Sequence, residues 1–264
     1  TGAQPFIPPY EGGDMHNVFS MRSMNDYLAV QEALEVDDVK TVLVVGGGLL
    51  GLEAAYAFLE KGLEVHVGEF AEHLLTKQLD TPSSIGLEEA LAQEGLKIHV
   101  GSTLKEIVGD DKVRKVILTG GEEIDCQLVL FSVGVRPEIT LAGNSLEVNR
   151  GIVANEKLET SAEDVWVAGD NAEVNGVVMG QIAGDNMSGG NSAYTTPKLF
   201  TNLHIGKTKF FSAGSHEGDD CFEKSDGNNF VKIFLQDGIV VGGILAGNTA
   251  MMAAVNKLIE EKAD

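Results

Sequence analysis

The sequence predicts an α/β fold built around a parallel sheet, and three features between residues 41 and 69 carry this prediction. The segment Thr41–Val45 is apolar and β-branched, as expected for a strand that is buried on both faces. Apolar residues then recur at helical spacing, at Leu49, Leu52, Ala55, Tyr56 and Leu59. Gly62 lies where this helix should end, and a second apolar strand, Leu63–Val67, follows it.

A glycine-rich turn joins the first strand to the helix. Gly46, Gly48 and Gly51 have G-x-G-x-x-G spacing, which brings backbone N–H groups and a helix N-terminus against a pyrophosphate. The motif alone is weak evidence, but here it has the strand and the helix that it requires. We therefore predict a Rossmann-like dinucleotide site; the alternative is a tight turn in an unrelated α/β protein. The predicted cofactor-binding residues are Gly46, Gly47, Gly48, Leu49, Leu50, Gly51, Glu69 and Phe70.

The acidic residue at the end of the second strand indicates which dinucleotide is bound. Glu69 lies 18 residues after Gly51, where a carboxylate accepts hydrogen bonds from the ribose hydroxyls of adenosine. A carboxylate repels the 2′-phosphate of NADP, and no cation follows within Phe70–Glu72. The sequence therefore favours NAD over NADP.

Composition excludes several classes of protein. The chain has 264 residues, of which 43% are hydrophobic, and a formal net charge of −21. This charge argues against binding to nucleic acid or to anionic membranes. No signal peptide or membrane-spanning run is apparent, so a cytoplasmic protein is expected. Cys126 and Cys221 form no C-x-x-C pair, and no histidines have ligand spacing, so no metal site is predicted. Both cysteines are expected to be small, partly buried apolar residues.

The same pattern analysis predicts the remaining elements. In the first half they are a helix over Met24–Leu34, a helix capped by Ser84 and running to Ala92, and strands over Leu96–Val100, Leu104–Val108, Val113–Leu118, Glu122–Asp125 and Leu128–Val133. In the second half they are short strands over Gly151–Ala154 and Asp164–Val167, a helix over Met179–Met187, a hairpin of Phe230–Leu235 with Ile239–Leu245, and a helix over Thr249–Glu261.

Further motifs occur in a fixed order around the glycine turn. They are Thr1-Gly2-Ala3 before a proline-rich stretch, Leu74-Leu75 and Leu79-Asp80, Gly134-Val135-Arg136-Pro137, Gly151-Ile152-Val153 with Thr160-Ser161 and Val167-Ala168-Gly169-Asp170, and a tail with Phe211–Gly214 and Asp237-Gly238. Over nearly its whole length the chain resembles the pyridine nucleotide-disulfide oxidoreductases, a superfamily of FAD-dependent enzymes. Within it, the chain is most similar to NADH:rubredoxin oxidoreductases and to the flavoprotein part of NADH-dependent nitrite reductases.

This resemblance implies cofactors and roles. NADH would pass a hydride to FAD, and electrons would continue to a redox-protein acceptor such as rubredoxin or to a nitrite-reductase centre. Thr1, Gly2, Gly169 and Asp170 would contact FAD, and Gly134 would line the nicotinamide pocket. Glu53, the predicted catalytic residue, would lie on the first helical turn near the nicotinamide. Two plainer interpretations stay open, namely a helix N-cap for Asp170 and a solvated first-turn acid for Glu53.

The resemblance also predicts the domain organisation. The domains are a remnant of an FAD-binding domain with a linker (1–38), an NAD-binding domain with a three-stranded β-meander insert (39–143), the second part of the FAD-binding domain (144–193) and a small α+β C-terminal domain (194–264). The glycine turn of the FAD domain is absent and the segment 171–180 is short, so we expect an N-terminally truncated chain. Gln127 also stands where an aspartate is usual.

Two further functional hypotheses follow from this departure. The chain could be a non-catalytic NAD(H)-binding module that has lost its flavin half, or a subunit whose other half comes from a partner chain. A homodimer is the expected assembly, and Lys198, Lys207 and Lys209 form a candidate docking cluster for an acidic acceptor. The plainer interpretation of these lysines is that they are simply solvated.

Overall fold

The computed structural model describes residues 2–172, 176–196, 200–226 and 229–263. The helices are α1 (Met24–Val36), α2 (Leu49–Glu60), α3 (Thr81–Glu94), α4 (Gly176–Met187) and α5 (Met252–Glu261). The strands are β1 (Ala3–Pro5), β2 (Val18–Ser20), β3 (Thr41–Val45), β4 (Glu64–Gly68), β5 (Lys97–His99), β6 (Leu104–Gly109), β7 (Val113–Leu118), β8 (Glu123–Asp125), β9 (Leu128–Phe131), β10 (Val135–Pro137), β11 (Phe200–Ile205), β12 (Thr208–Gly214), β13 (Asp220–Asp226), β14 (Asn229–Gln236) and β15 (Ile239–Ala246).

The chain divides into two compact units. One comprises Thr1–Phe6 and Gly134–Pro197, and the other comprises Ile7–Val133 and Lys198–Asp264. In the first unit, β1 pairs antiparallel with β10, so the two pieces of this unit are joined by a ladder. The second unit holds the predicted NAD-binding region together with the C-terminal segment.

A five-stranded parallel sheet with the order β2-β9-β3-β4-β5 forms the centre of the second unit. Because side chains alternate along a strand, β3 serves two cores. Val42 and Val44 pack in the cluster that contains the α2 and α3 side chains, and Leu43 and Val45 pack in a second cluster with the meander. The meander is the antiparallel sheet β6-β7-β8. Both faces of the parallel sheet are thus covered, which explains the continuous apolar run in β3.

The C-terminal segment forms a five-stranded antiparallel sheet with the order β11-β12-β15-β14-β13. Val255 and Ile259 of α5 pack on one side of it with Phe211. Residues on the other side, including Leu203 and Phe210, join the cluster of α2 and α3. The α/β fold with its meander insert and its α+β C-terminal part is therefore confirmed.

Three predicted details are wrong. The helix predicted to begin at Ser84 begins at Thr81, because Asp80 is its N-cap and accepts from the N–H of Ser83. Ser84 is instead buried inside α3, where its hydroxyl donates to the carbonyl of Leu74. The strands predicted over 151–154 and 164–167 are only isolated bridges, Val148 to Ile152 and Glu159 to Trp166. Cys126 is buried as expected, but Cys221 is exposed.

Across the described ranges, no helix is both long enough and apolar enough to cross a bilayer.

Candidate functional site

Two glycines of the turn after β3 are required by the protein's own packing. Gly46 has φ +110°, a left-handed conformation that suits glycine, and an added Cβ would overlap the carbonyl oxygen of Ser132. An added Cβ at Gly51 would overlap the carbonyl oxygen of Gly46. These glycines therefore allow the close approach of α2 to β3 and β9.

Gly48 differs because it faces open space. Gly48 is the N-cap of α2, and an added Cβ there would have no atom of the described residues within 4 Å apart from its own chain neighbours. No side chain caps the helix at this residue, and the first turn of α2 contains no acidic residue. Since the N-terminus of a helix carries free N–H groups and a partial positive charge, this end of α2 can receive an anion.

The carboxylate of Glu69 lies beside this turn and is held by two backbone amides. Its Oε2 accepts from the N–H of Gly47 at 2.7 Å, and its Oε1 accepts from the N–H of Ala71 at 2.8 Å. The N–H of Glu69 itself donates to the carbonyl of His99 at 2.9 Å. The side chain is thus fixed between the glycine turn and the segment after β4. Each carboxylate oxygen keeps a second lone pair for a ligand hydroxyl.

Two apolar side chains near the turn are exposed. Phe70, which follows Glu69, is 82% exposed, and Leu50, the second residue of α2, is 72% exposed. Large apolar side chains at the edge of a candidate ligand site can cover an apolar or aromatic part of that ligand. Leu49 is partly buried and packs against the core cluster.

Glu53 lies further along α2 than the first-turn position that was predicted for it. Because α2 begins at Leu49, Glu53 opens the second helical turn, and no acidic residue lies in the first turn. Its side chain is exposed. The first-turn position predicted for Glu53, and its interpretation as a first-turn acid, are therefore wrong, while its role toward the nicotinamide stays a prediction.

The predicted flavin contacts, and Gly134 of the predicted nicotinamide pocket, lie in the other unit. Gly2, Gly134 and Gly169 all have positive φ, at +78°, +98° and +95°. The carbonyl of Gly2 accepts from the N–H of Glu138, and the carbonyl of Gly134 accepts from the N–H of Phe6. Thr1 lies outside the described residues.

Asp170 does not cap α4. It begins the short 3-10 turn Asp170–Ala172, whereas the first residue of α4 is Gly176. The N–H of Ala172 donates to the carbonyl of Gly169 at 2.9 Å, which tightens this turn. The N-cap interpretation of Asp170 is therefore excluded for α4, and the flavin contact stays a prediction.

Sequence reasoning missed two anchoring contacts near the site. The bond between Glu69 and Gly47 joins residues 22 positions apart and has no local signal. Gln127, which departs from the family pattern, accepts from the N–H groups of Lys40 and Thr41 at 3.1 and 3.0 Å. Its amide oxygen thereby holds the start of β3 beside the start of β9. An aspartate at this position would have suggested the same acceptor role.

The parallel sheet, the glycine turn and the acid after the second strand define a dinucleotide-fold α/β protein. Residues 1–195 match the family described as pyridine nucleotide-disulphide oxidoreductase, and the chain belongs to this family. Residues 200–263 match the rubredoxin NAD⁺ reductase C-terminal domain. The predicted resemblance is thereby confirmed.

Individual relatives agree with this assignment. The chain is 32% identical over 281 residues to a nitrite reductase (NAD(P)H) of Bacillus subtilis, covering 100% of the chain and 34% of the relative. It is 38% identical over 183 residues to an NADH oxidase of Methanocaldococcus jannaschii, covering 69% of the chain and 41% of the relative. The chain thus spans less than half the length of both relatives. A ferredoxin reductase from Rhodopseudomonas palustris has the same fold, with a TM-score of 0.86 at 24% identity, covering 100% of the chain and 70% of that structure.

Proposed function

We propose that this chain is part of an NADH-dependent FAD oxidoreductase, in which hydride passes from NADH to flavin and electrons pass on to a redox-protein acceptor. One observation carries the nucleotide part of this proposal. Gly48 lies at the N-terminus of α2, and in the part of the chain that the structure describes no side chain or neighbouring segment fills the space beside it. The other two motif glycines are explained by packing, whereas this one is explained by a ligand that approaches the backbone.

The residues around this opening fit a dinucleotide. The first amides of α2 would bind the pyrophosphate, and the fixed carboxylate of Glu69 would accept from the ribose hydroxyls. Phe70 and Leu50 would cover the adenine side of the ligand. Because the carboxylate repels a 2′-phosphate, NADH is the preferred reductant over NADPH.

The flavin part of the proposal rests on the family and on two glycines. Gly2 and Gly169 have positive φ, which suits glycine, and the lack of a side chain lets a ligand approach their backbone. Gly134 would line the nicotinamide pocket. Asp170, which follows Gly169, would accept from flavin hydroxyls. When bound, FAD takes up a hydride and releases electrons to the acceptor. Glu53 would lie near the nicotinamide and is the proposed catalytic residue.

The acceptor is proposed to be a small iron–sulfur protein of the rubredoxin type, or a nitrite-reductase centre. The match of residues 200–263 to a rubredoxin reductase domain supports the first of these. The full-length relatives named as nitrite reductases support the second. A cytoplasmic location and a homodimer stay predictions.

The nucleotide proposal is tested by Gly48→Ala, with Gly120→Ala as the matched control. Among the described residues, neither added methyl group meets an atom outside its own stretch of chain, so both variants should fold. Because alanine is a poorer N-cap than glycine, Gly48→Ala should lower stability by about 1 kcal/mol, which still leaves it folded in the binding assay. Only the methyl group at position 48 lies where a pyrophosphate would approach. We expect NADH affinity, measured by calorimetry, to fall by roughly tenfold or more for Gly48→Ala. Equal affinities for the two variants would contradict the proposed site.

The flavin proposal is tested separately, by adding FAD to the purified chain and recording its absorbance spectrum with and without NADH. Uptake of flavin followed by its bleaching with NADH supports the oxidoreductase. NADH binding without flavin uptake would instead favour the non-catalytic NAD(H)-binding module.

A further inference from the structure

Two histidines lie side by side on neighbouring strands of the parallel sheet. His66 of β4 is 6% exposed, and His99 ends β5. The Nδ1 atom of His66 lies 2.9 Å from the Nε2 atom of His99, and the ring planes are 7° apart. The two rings therefore form a hydrogen bond with each other, and we call them the histidine pair.

Each outer nitrogen of the histidine pair faces a carboxylate. The Nε2 atom of His66 lies 3.0 Å from Oε1 of Glu64, and the Nδ1 atom of His99 lies 3.0 Å from Oε2 of Glu122. Lys97 also contacts Glu64, at 2.7 Å. The charged groups that face the pair are thus Glu64 on β4, Lys97 on β5 and Glu122 beside β8.

The bond between the rings depends on their protonation. The Nε2 atom of His66 faces a carboxylate, which only accepts, so Nε2 carries a hydrogen and Nδ1 of the neutral ring accepts from His99. A second hydrogen on the His66 ring would remove this acceptor. With both rings protonated, two N–H groups would stand against each other between the rings.

The network joins two separate sheets. Glu64, His66 and His99 belong to the parallel sheet, whereas Glu122 immediately precedes β8 of the meander. We propose that the histidine pair acts as an acid-sensitive latch that helps to hold the meander against the parallel sheet.

The direction of the pH response follows from proton binding. Burial lowers the pKa of His66, and this outweighs its hydrogen bond to Glu64. Below the ordinary value of 6.5, the unfolded chain binds a proton on the His66 ring that the folded chain resists, so acidification weakens the latch. The contribution of the latch is therefore present above this value and is lost as the pH falls through the lowered pKa of His66.

The first test reads the imidazole nitrogens by ¹⁵N-detected NMR of the natural chain during a pH titration. We expect the His66 ring to stay neutral to a lower pH than a free imidazole, because it is buried and its bond to His99 needs an acceptor nitrogen. A His66 ring that titrates as a free imidazole would overturn the proposal.

The second test measures amide hydrogen exchange of β6–β8 in Glu122→Ala, Glu122→Gln and the control Glu123→Ala. Glu123 is the neighbouring glutamate, but its partner Lys115 lies within the meander. Because Glu122 is half-exposed, we expect Glu122→Ala to speed exchange roughly threefold to tenfold near pH 6.5, with a smaller effect in acid. Glu122→Gln, which retains an acceptor oxygen, should recover part of the protection.

The control distinguishes a latch from general destabilisation. Glu123→Ala should leave the pH dependence of exchange as in the natural chain. If Glu122→Ala and Glu123→Ala change exchange equally, or if the effect of Glu122→Ala is the same at all pH values, the proposal is wrong.

Discussion

The side chain of Glu69 accepts from the amides of Gly47 and Ala71 at 2.7 and 2.8 Å. The carboxylate of Glu69 therefore stabilises the turn through hydrogen bonds that do not depend on a ligand. If it also contacts the ribose, one residue both shapes the site and selects the nucleotide. Replacing it should then disturb the binding of both nucleotides, but not to the same degree.

This reasoning predicts the effect of Glu69→Gln. One side-chain oxygen becomes an NH₂ group that cannot accept from a backbone amide, so the turn loses an anchor. We expect NADH affinity to fall by roughly tenfold, which corresponds to one charge-assisted hydrogen bond. NADPH affinity should fall less or rise, because the charge that repels its 2′-phosphate is gone. Fluorescence titration with both nucleotides checks this, and equal losses would show that Glu69 acts only on the turn.

Single residues also show what sequence reasoning can reach. Gly46 and Gly51 were predictable because the motif itself encodes the close contact of helix and strand. The Glu69–Gly47 bond was not, because it joins positions that only the folded sheet brings together. The bond of the histidine pair could not be predicted, since it depends on the register of β4 and β5.

At the scale of elements, α3 is tied to the C-terminal sheet by a buried ion pair. Lys232 of β14 is 5% exposed and its Nζ lies 2.9 Å from Oδ2 of Asp80, the N-cap of α3. Glu223 of β13 lies 3.4 Å from the same ammonium group. Burial disfavours the charge of Asp80, yet bonds from Ser83 and Lys232 outweigh it and lower its pKa. Burial likewise opposes the charge of Lys232, but its two acidic partners raise its pKa.

This contact predicts a loss of stability in Lys232→Met. Removing one partner leaves the buried carboxylate of Asp80 without its cation, and we expect the free energy of unfolding to fall by about 3 kcal/mol. The exposed residue Lys224 supplies the control variant Lys224→Met, which should change stability by less than about 0.5 kcal/mol. Denaturant unfolding measures both. A loss of the same size in the two variants would contradict the buried pair.

The pH dependence of this loss has a defined sign. The pKa of Asp80 is lowered, so its contribution is present above the ordinary value of 3.8 and is lost as the pH falls through the lowered pKa. The pKa of Lys232 is raised, so its contribution is present below 10.5 and is lost as the pH rises through the raised pKa. The difference between the natural chain and Lys232→Met should therefore be largest between these limits and shrink outside them.

Elements with local periodicity were predicted well, and those that depend on distant partners were not. The meander hairpin and the β14–β15 hairpin follow from alternation around short turns. The start of α3 was misplaced although Asp80 followed by Thr81-Pro82 is a recognisable helix start. The segments 151–154 and 164–167 contain β-branched residues, but each pairs with another segment through only a single-residue bridge. Propensity alone could not reveal that missing partner.

At the scale of the whole molecule, the net charge of −21 bears on the acceptor. An acidic iron–sulfur protein would be repelled by most of such a surface and would need a local cationic area. Lys207 and Lys209 line a cavity between α3 and the C-terminal sheet, but Glu89 and Glu94 line it too. The backbone N–H of Lys207 donates to Glu94 at 2.9 Å. Lys198, the third member of the predicted cluster, lies outside the described residues.

Charge reversal tests this candidate docking cluster. We expect Lys207→Glu with Lys209→Glu to slow reduction of an acidic rubredoxin severalfold at low salt, with the difference vanishing at high salt. Lys105, an exposed lysine of the meander, provides the control Lys105→Glu, in which a positive charge outside the candidate docking cluster is also reversed. Stopped-flow reduction of the acceptor measures the rates. If the rate depends on salt identically in all variants, these lysines do not form part of the surface that binds the acceptor.

The course of the chain through the unit formed by Thr1–Phe6 and Gly134–Pro197 has an evolutionary consequence. The N–H of Phe6, where the first piece ends, donates to the carbonyl of Gly134, where the second piece begins, at 3.0 Å. Residues 7–133 are therefore inserted between β1 and β10, and the β1–β10 ladder holds the two ends of this insertion together. Because closing a longer loop costs only logarithmically more, surface loops within residues 7–133 can lengthen or shorten while the β1–β10 ladder stays intact.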